Sequence, residues 1–436
     1  MLSSINIPNE VTYIGNNAFD CCYKLMWVNL PKGITSIRGS TFYSCEKLSS
    51  IIIPESVDSI NDYAFFMSGL TSIFIPKSVV SIDSTAFAHC SELEAINVSV
   101  ENQNYISKKG VLFSYNRTIL CVCPGGKNGI YSIPYGVTDI QDYAFKGCKK
   151  LSYISIPFSV SKIGEYAFEY CSKLSSIIIP PKITSMDSCA FGSCDKLSLV
   201  IYLGESNLDS ENVFRYCYKL TEVHVLPTYG YDSFCGKDVI KCINTASCGD
   251  STNYIFDNCT GTLIISGQSD MSDYTNEPAP WSSYKDDIRS VIIEGNVTSV
   301  GNNCFSKYTG LTSVTILSSV ESIGDSAFCG CSSLKNINFE EESNLTIIGN
   351  YSFYGCSNLK SILFNEQTNL ITIGDFALSN CSNLETISFY ECNQLKSISI
   401  PSSIKYFNDS CFYNCLNLEC ITFEEQTNLS IIGDSS

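Results

Sequence analysis

Residues 151–156, LSYISI, set apolar Leu151, Ile154 and Ile156 against Ser152, Tyr153 and Ser155. The period-two pair Ile154/Ile156 predicts a short strand with one buried face. Pro157 ends it, because proline has no N–H for a ladder. Val160 and Ile163 form a second apolar pair, and Gly164 is read as a tight bend. Residues 165–170 then predict a short helical turn, with Ala167 small where the coil is crowded and Phe168 filling the interior. The Phe168 position recurs at Phe19, Phe42, Phe65, Phe87, Phe145, Phe191, Phe214, Phe305, Phe328, Phe353 and Phe412, with Leu378 standing in once. The first steps are 23, 23 and 22 residues, and those from Phe145 to Phe214 are 23 each. A fixed period of this size predicts a solenoid, in which each copy buries its apolar face against its neighbours.

The pattern breaks twice. Phe87 to Phe145 spans 58 residues, and the extra chain holds the β-rich runs 111–113 and 118–120 around residues 114–117, which read as a hairpin. Phe214 to Phe305 spans 91 residues. Its first part loses the apolar spacing. Its second part offers a capping strand at 263–265 and, in Trp281 and Tyr284, aromatic cover for the end of a core, with Pro278 and Pro280 fixing the turn. The expected organisation is a first array over 1–226, with an elaborated repeat at about 97–133, an irregular, cap-like interruption over 227–289, and a second array over 290–436. The second array has longer steps of 23, 25, 25 and 34 residues, the last containing an additional strand at 395–400.

The LxxIxIP…V..IG…AF..C pattern resembles the leucine-rich repeats of BspA-like surface proteins, and the resemblance covers essentially the whole chain. It implies an α/β repeat solenoid: a right-handed leucine-rich-repeat coil with a parallel β-sheet on the concave side and short helices or turns on the convex side. It also implies display at the cell surface or secretion, and adhesion to host, matrix or neighbouring-cell proteins.

Charge sharpens the choice of partner. A net charge of −17 argues against nucleic acid, which requires a basic stripe. The charge is lopsided: residues 1–226 carry 18 Lys/Arg and 20 Asp/Glu, whereas residues 227–436 carry 9 and 24. No run approaches the roughly 20 apolar residues of a membrane span, and the amino terminus is already a repeat strand rather than a signal sequence. Localisation is therefore not fixed by the residues themselves. Both termini break off in mid-array without an evident cap. That leaves an incomplete array, or ends open to fraying and end-to-end self-association.

Eleven cysteines follow the Phe position by three residues, from Cys22 to Cys415, with Ser68 and Tyr308 taking the slot elsewhere. The column predicts buried, reduced thiols acting as small hydrophobes. Cys235, Cys242, Cys248 and Cys259 cluster in the second interruption. Their spacing lacks a zinc-type CxxC pair, so a disulfide in an oxidising compartment is the better reading, with the pairing left open. His89 and His224 are the two histidines, both read as surface residues, and no nucleophile is placed with either. No phosphate-loop, HExxH or EF-hand motif is present. No catalytic residue, cofactor or metal site is therefore assigned, and an enzyme is not indicated. The acidic runs 340–342 and 424–425 read as solvated loop edges. Sequons at Asn97, Asn116, Asn296 and Asn344 matter only in a secreted chain.

The strand residue between the two buried ones points out of the coil. In the first array this column reads Asn6, Asn29, Ile52, Phe74 and Asn97, then Ser155, Ile178, Ile201 and His224. Trp27 and Tyr153 project one residue earlier in their strands. Grouped exposed apolar residues mark interaction sites; β-propensity alone is the competing explanation. The candidate ligand-binding residues are Trp27, Ile52, Phe74, Tyr153, Ile178 and Ile201, with a protein as the ligand. The expected function is non-enzymatic protein interaction, as a surface antigen or adhesin. The alternative is an intracellular leucine-rich-repeat scaffold, suggested by the unpaired cysteine column and the absence of a signal sequence or anchor.

Overall fold

The computed structural model describes residues 2–208, 210, 212–248, 251–275, 277–340, 343–364, 369–407, 409–424 and 429–434. Each repeat contributes a longer strand, a two-residue strand and an outer turn, and each part stacks on its counterpart in the next repeat. In the first unit, Ser176–Ile179, Leu199–Tyr202, Glu222–Val225 and Lys237–Lys241 form a parallel ladder. The two-residue strands Asp139–Ile140, Lys162–Ile163 and Ser185–Met186 form another. In the second unit, Ser290–Gly295, Ser313–Ile316 and Asn336–Phe339 repeat the arrangement. Each unit is a parallel β-solenoid.

The expected helices on the outer side do not form. Among the described residues, the one helical element is a 3-10 turn at Ser282–Tyr284. Hydrogen bonding gives the reason. In the outer turn around Phe168, the N–H groups of Ala167, Glu169 and Cys171 bond three residues back, to the carbonyls of Gly164, Tyr166 and Phe168. The alternate N–H groups, of Tyr166, Phe168 and Tyr170, bond forward to Ser188, Ala190 and Gly192 of the next repeat, at 3.1, 2.7 and 3.0 Å. Tyr166 and Tyr170 are left-handed, with φ of 54° and 61°. A helix needs an unbroken right-handed run, so these two residues exclude one. The same two slots recur as Tyr143/Gly147, Cys189/Ser193, Ser326/Gly330 and Tyr351/Gly355.

The interior is a column of stacked rings. Phe145, Phe168 and Phe191 lie parallel with 4.8 Å between successive centroids. Phe19, Phe42, Phe65 and Phe87 stack at 5.4–5.5 Å. Gly164 is not left-handed. A Cβ there would lie 2.5 Å from Asp142 N and 2.8 Å from Asp142 Cα, so glycine is required by the approach of the preceding repeat rather than by a bend.

Packing divides the chain into two compact units, Met1–Lys241 and Cys242–Ser436, and the stretch 227–289 is shared between them. In the first, the 97–133 elaboration is a three-stranded antiparallel meander of Tyr105–Lys108, Val111–Ser114 and Ile119–Val122. Its last strand rejoins the parallel ladder through Asp139–Ile140. The outer turns continue past it, because His89 N–H donates to Lys146 O at 3.3 Å. In the second unit, Thr262–Gly267 pairs parallel with Ser290–Gly295, and Thr252–Asp257 and Ile243–Ser247 add to it antiparallel. The fully buried Trp281 stacks on Phe305 at 5.4 Å and begins that unit's ring column. Tyr284 stacks on Phe256 at 4.5 Å. Within the 34-residue step, Phe389 and Cys392 restart the pattern early, and Phe389 stacks on Phe412 at 5.5 Å.

Candidate interaction face

The sheet face turned away from the core is the candidate site. Its first strands, Ser4–Asn6, Trp27–Asn29 and Ser72–Ile75, alternate strictly because the side-chain period of a strand is two. Val28, Ile51, Ile53, Ile73 and Ile75 enter the core, which leaves Trp27, Ile52 and Phe74 outside. These three are 50%, 85% and 53% exposed. Ile52 and Phe74 are direct bridge partners. Asparagines flank them: Asn97 pairs with Phe74, and Asn29 Nδ2 donates to Asn6 Oδ1 at 2.7 Å. The patch is apolar at its centre and amide-lined at its edges.

The other three candidates are not exposed. Tyr153, Ile178 and Ile201 are buried at 8%, 6% and 2% exposure. Their strands run as expected, but the ladder crowds the column. Ile178, Ile201, His224 and Ile240 stand side by side in register, so bulky neighbours flank Ile201 and His224 on both sides. Around Tyr153 a register shift places Tyr153 opposite Ile130 and Ser155 opposite Ser132. The structure therefore brings Ile52 and Phe74 together, leaves Trp27 exposed on the preceding strand, and covers the second group. That difference depends on what lies beside each strand, which a single repeat does not reveal.

The histidines also differ from expectation. His224 is buried, with Nε2 3.8 Å from Glu222 Oε1. His89 is half-buried between Phe66 and Tyr170, with ring centroids 5.1 and 5.3 Å away. Burial, and then Lys146 and Lys149, lower its pKa to about 4. It is neutral at pH 7 and packs as an aromatic ring. An outer stripe that the sequence did not announce continues from it. Lys146 Nζ lies 4.7 and 4.6 Å from the ring centroids of Tyr143 and Tyr166 and 2.7 Å from Glu169 Oε2. The signal was available in Tyr143 and Tyr166, two residues before Phe145 and Phe168, and in Tyr170, two after Phe168.

The cysteine column is buried except at its two end members, Cys22 and Cys415, which are partly exposed. Cys171, Cys194 and Cys217 each donate S–H to a Phe carbonyl of the preceding repeat, at 3.3, 3.2 and 2.9 Å. Burial pushes the Cys45, Cys90 and Cys331 thiols up to about 12, 11 and 12. Such thiols are poor nucleophiles, because the thiolate is the reactive form. None of the 24 cysteines is joined in a disulfide. Cys235 donates to Leu208 O at 3.2 Å, and Cys248 lies in the second unit's core. Glu340, read as a loop-edge acid, is instead buried and accepts Ser318 N–H at 2.6 Å. Glu424 accepts Ser402 N–H at 3.1 Å and the Ser379 hydroxyl. Glu341, Glu342 and Glu425 lie outside the described residues.

The BspA type leucine rich repeat region matches in 6 copies, over residues 1–119, 131–263, 282–391 and 386–436. The chain belongs to the BspA-type leucine-rich-repeat family. Three solved structures resemble this BspA-type array. A leucine-rich repeat protein from Eubacterium ventriosum shares 20% identity over 87% of this chain and 82% of its own, with a TM-score of 0.40. A leucine rich cell surface protein from Faecalibacterium prausnitzii shares 22% over 86% and 88%, with a TM-score of 0.23. The pneumococcal vaccine antigen PcpA shares 19% over 78% and 79%, with a TM-score of 0.42. No curated protein matches this BspA-type chain significantly. Among the described residues, no helix is long and apolar enough to cross a membrane.

Proposed function

We propose that this chain is a non-enzymatic protein-interaction array, displayed at a cell surface as an antigen or adhesin. The face that binds its partner is the outward sheet surface around Trp27, Ile52 and Phe74. One observation carries the reading: Ile52 and Phe74, direct bridge partners, stand 85% and 53% exposed in a column flanked by asparagines, with Trp27 half-exposed on the strand of the preceding repeat. β-Propensity explains an isolated isoleucine on a strand. It does not explain an exposed isoleucine paired with an exposed phenylalanine and accompanied by an exposed tryptophan on the preceding strand, a composition that suits an interaction centre. Family membership supports a surface role and a protein partner. Tyr153, Ile178 and Ile201 drop out of the proposal because they are covered.

A second reading, an intracellular scaffold, draws on the cysteines. None of the 24 cysteines is in a disulfide, and column thiols such as Cys171 and Cys194 donate to backbone carbonyls. The two readings separate on intact cells treated with a membrane-impermeant biotin reagent. Labelling of this chain with cytosolic controls unlabelled supports display. An unlabelled chain overturns it in favour of the scaffold. The binding face is tested by coating beads with the protein and measuring their adhesion to host epithelial cells. The Ile52→Ser/Phe74→Ser protein should lose at least roughly tenfold in adhesion, as interface centres do, with unchanged thermal unfolding. Equal adhesion would remove the patch from the proposal.

A further inference from the structure

We propose that Cys242, Asp257 and Cys259 form a binding site for a thiophilic divalent cation of the zinc class. The site is independent of the interaction face and of the reading placed on it. The three ligand atoms lie within 4.8 Å of one another. Their positions are fixed by backbone pairing. Asp257 ends the strand Thr252–Asp257 opposite Ile243, and Cys242 immediately precedes the partner strand Ile243–Ser247. Asn258 N–H donates to Cys242 O at 3.0 Å, which holds the turn carrying Cys259 against Cys242.

Asp257 is fully buried. Its Oδ1 accepts the Cys242 S–H at 3.3 Å and the Cys259 N–H at 3.0 Å, and its Oδ2 accepts the Thr260 hydroxyl at 2.6 Å. Two of these bonds orient the carboxylate from behind, as outer partners of metal ligands do. The third comes from a thiol that a cation would displace. Zinc–sulfur bonds of about 2.3 Å in a tetrahedral site place ligand atoms roughly 3.8 Å apart. The cluster, with its ligand atoms within 4.8 Å of one another, lies within about an ångström of this spacing. Two sulfurs and one oxygen suit zinc; calcium and magnesium take oxygen shells of six or more ligands. The exposed Cys259 gives an entry path.

Binding is an exchange without redox change. M²⁺ and two thiols give a dithiolate complex and two protons released to solvent. Asp257 supplies the third ligand, and a fourth donor completes the tetrahedral shell. The column thiols differ from this pair: Cys171 and Cys194 face backbone carbonyls in the dry core. The linear spacing concealed the site, because one sulfur and the carboxylate come from a single turn and the other sulfur from across a strand pair.

The test is a cobalt(II) titration of the full chain, reduced and stripped with chelator. The expected result is a thiolate-to-cobalt charge-transfer band saturating at one equivalent and abolished by one equivalent of zinc. Cys259→Ser should lose the band, whereas Cys420→Ser, at an exposed cysteine elsewhere, should keep it. Because Cys259 is exposed, its variant should unfold at the temperature of the metal-free parent. Asp257→Asn should bind at least tenfold more weakly. The absence of a band in the reduced parent overturns the proposal, as does a band unchanged in Cys259→Ser. A Cys242–Cys259 disulfide that takes up no metal after reduction also overturns it.

Discussion

The thiol of Cys194 lies 3.2 Å from the carbonyl oxygen of Phe168, and that oxygen also accepts the N–H of Cys171 at 3.2 Å. One backbone acceptor is thus satisfied by two donors, one from its own turn and one from the next repeat. Cys194→Ala removes the second donor and leaves a small void. We expect a loss of about 1–2 kcal/mol, measured by denaturant unfolding. An unchanged midpoint would show that neither the thiol donor nor its volume stabilises the column at this position.

The raised thiol pKa values give a pH dependence. In the unfolded chain the thiols ionise near their ordinary value of 9.0, while Cys45 and Cys90 hold their protons in the fold to about 12 and 11. The unfolded state therefore releases protons first as pH rises, so stability is retained below pH 9 and falls between about pH 9 and 11. A melting temperature that is flat from pH 8.5 to 10.5 would contradict this.

His89 works in the other direction. Its pKa is lowered from 6.5 to about 4, so it must take up a proton to unfold in mild acid. Its stability contribution is complete above pH 6.5 and is lost as pH falls toward 4. His89→Phe, which keeps an aromatic ring between Phe66 and Tyr170, should lose less stability than the parent between pH 7 and pH 4.5. Parallel pH profiles would show that carboxylates alone account for the acid sensitivity.

Phe168 touches a parallel ring on each face, whereas Phe19 has one stacked partner. Phe168→Ala should cost about 3–5 kcal/mol and loosen both neighbouring repeats, seen as faster hydrogen exchange in the turns around Phe145 and Phe191. Phe19→Ala should cost clearly less. Equal costs would mean that the ring stack is not cooperative.

Two glycines in the same unit should respond oppositely to alanine. At Gly164 the new Cβ would sit 2.5 Å from Asp142 N, whereas at Gly230 it would meet nothing within 4 Å. Gly164→Ala should destabilise by about 1–3 kcal/mol, as overpacking does. Gly230→Ala should be neutral or slightly stabilising, through the unfolded chain. Thermal unfolding of the pair distinguishes crowding from a general need for glycine.

The fold was largely legible because its signals lie within one repeat. Ile154, Ile156, Ile163, Phe168 and Cys171 announce two strands, a filled interior and a thiol column. What was misread lies between repeats. The tract around Ala167 and Phe168 has helical composition, yet its alternate N–H groups are claimed by the next coil. Gly164 reads as a bend until Asp142 is seen against it. Ile52 and Ile201 occupy equivalent slots with opposite exposure, because their cover is set by residues far away in sequence. The Cys242, Asp257 and Cys259 group was invisible for the same reason.

The bond from His89 to Lys146 spans the 58-residue step between Phe87 and Phe145. Pitch is therefore counted by backbone pairing of the outer turns, not by chain length. Extra residues can be taken up on the strand side while the opposite edge keeps its spacing. Such a chain separates metre from content: one edge holds the beat, and the other is free to carry variation.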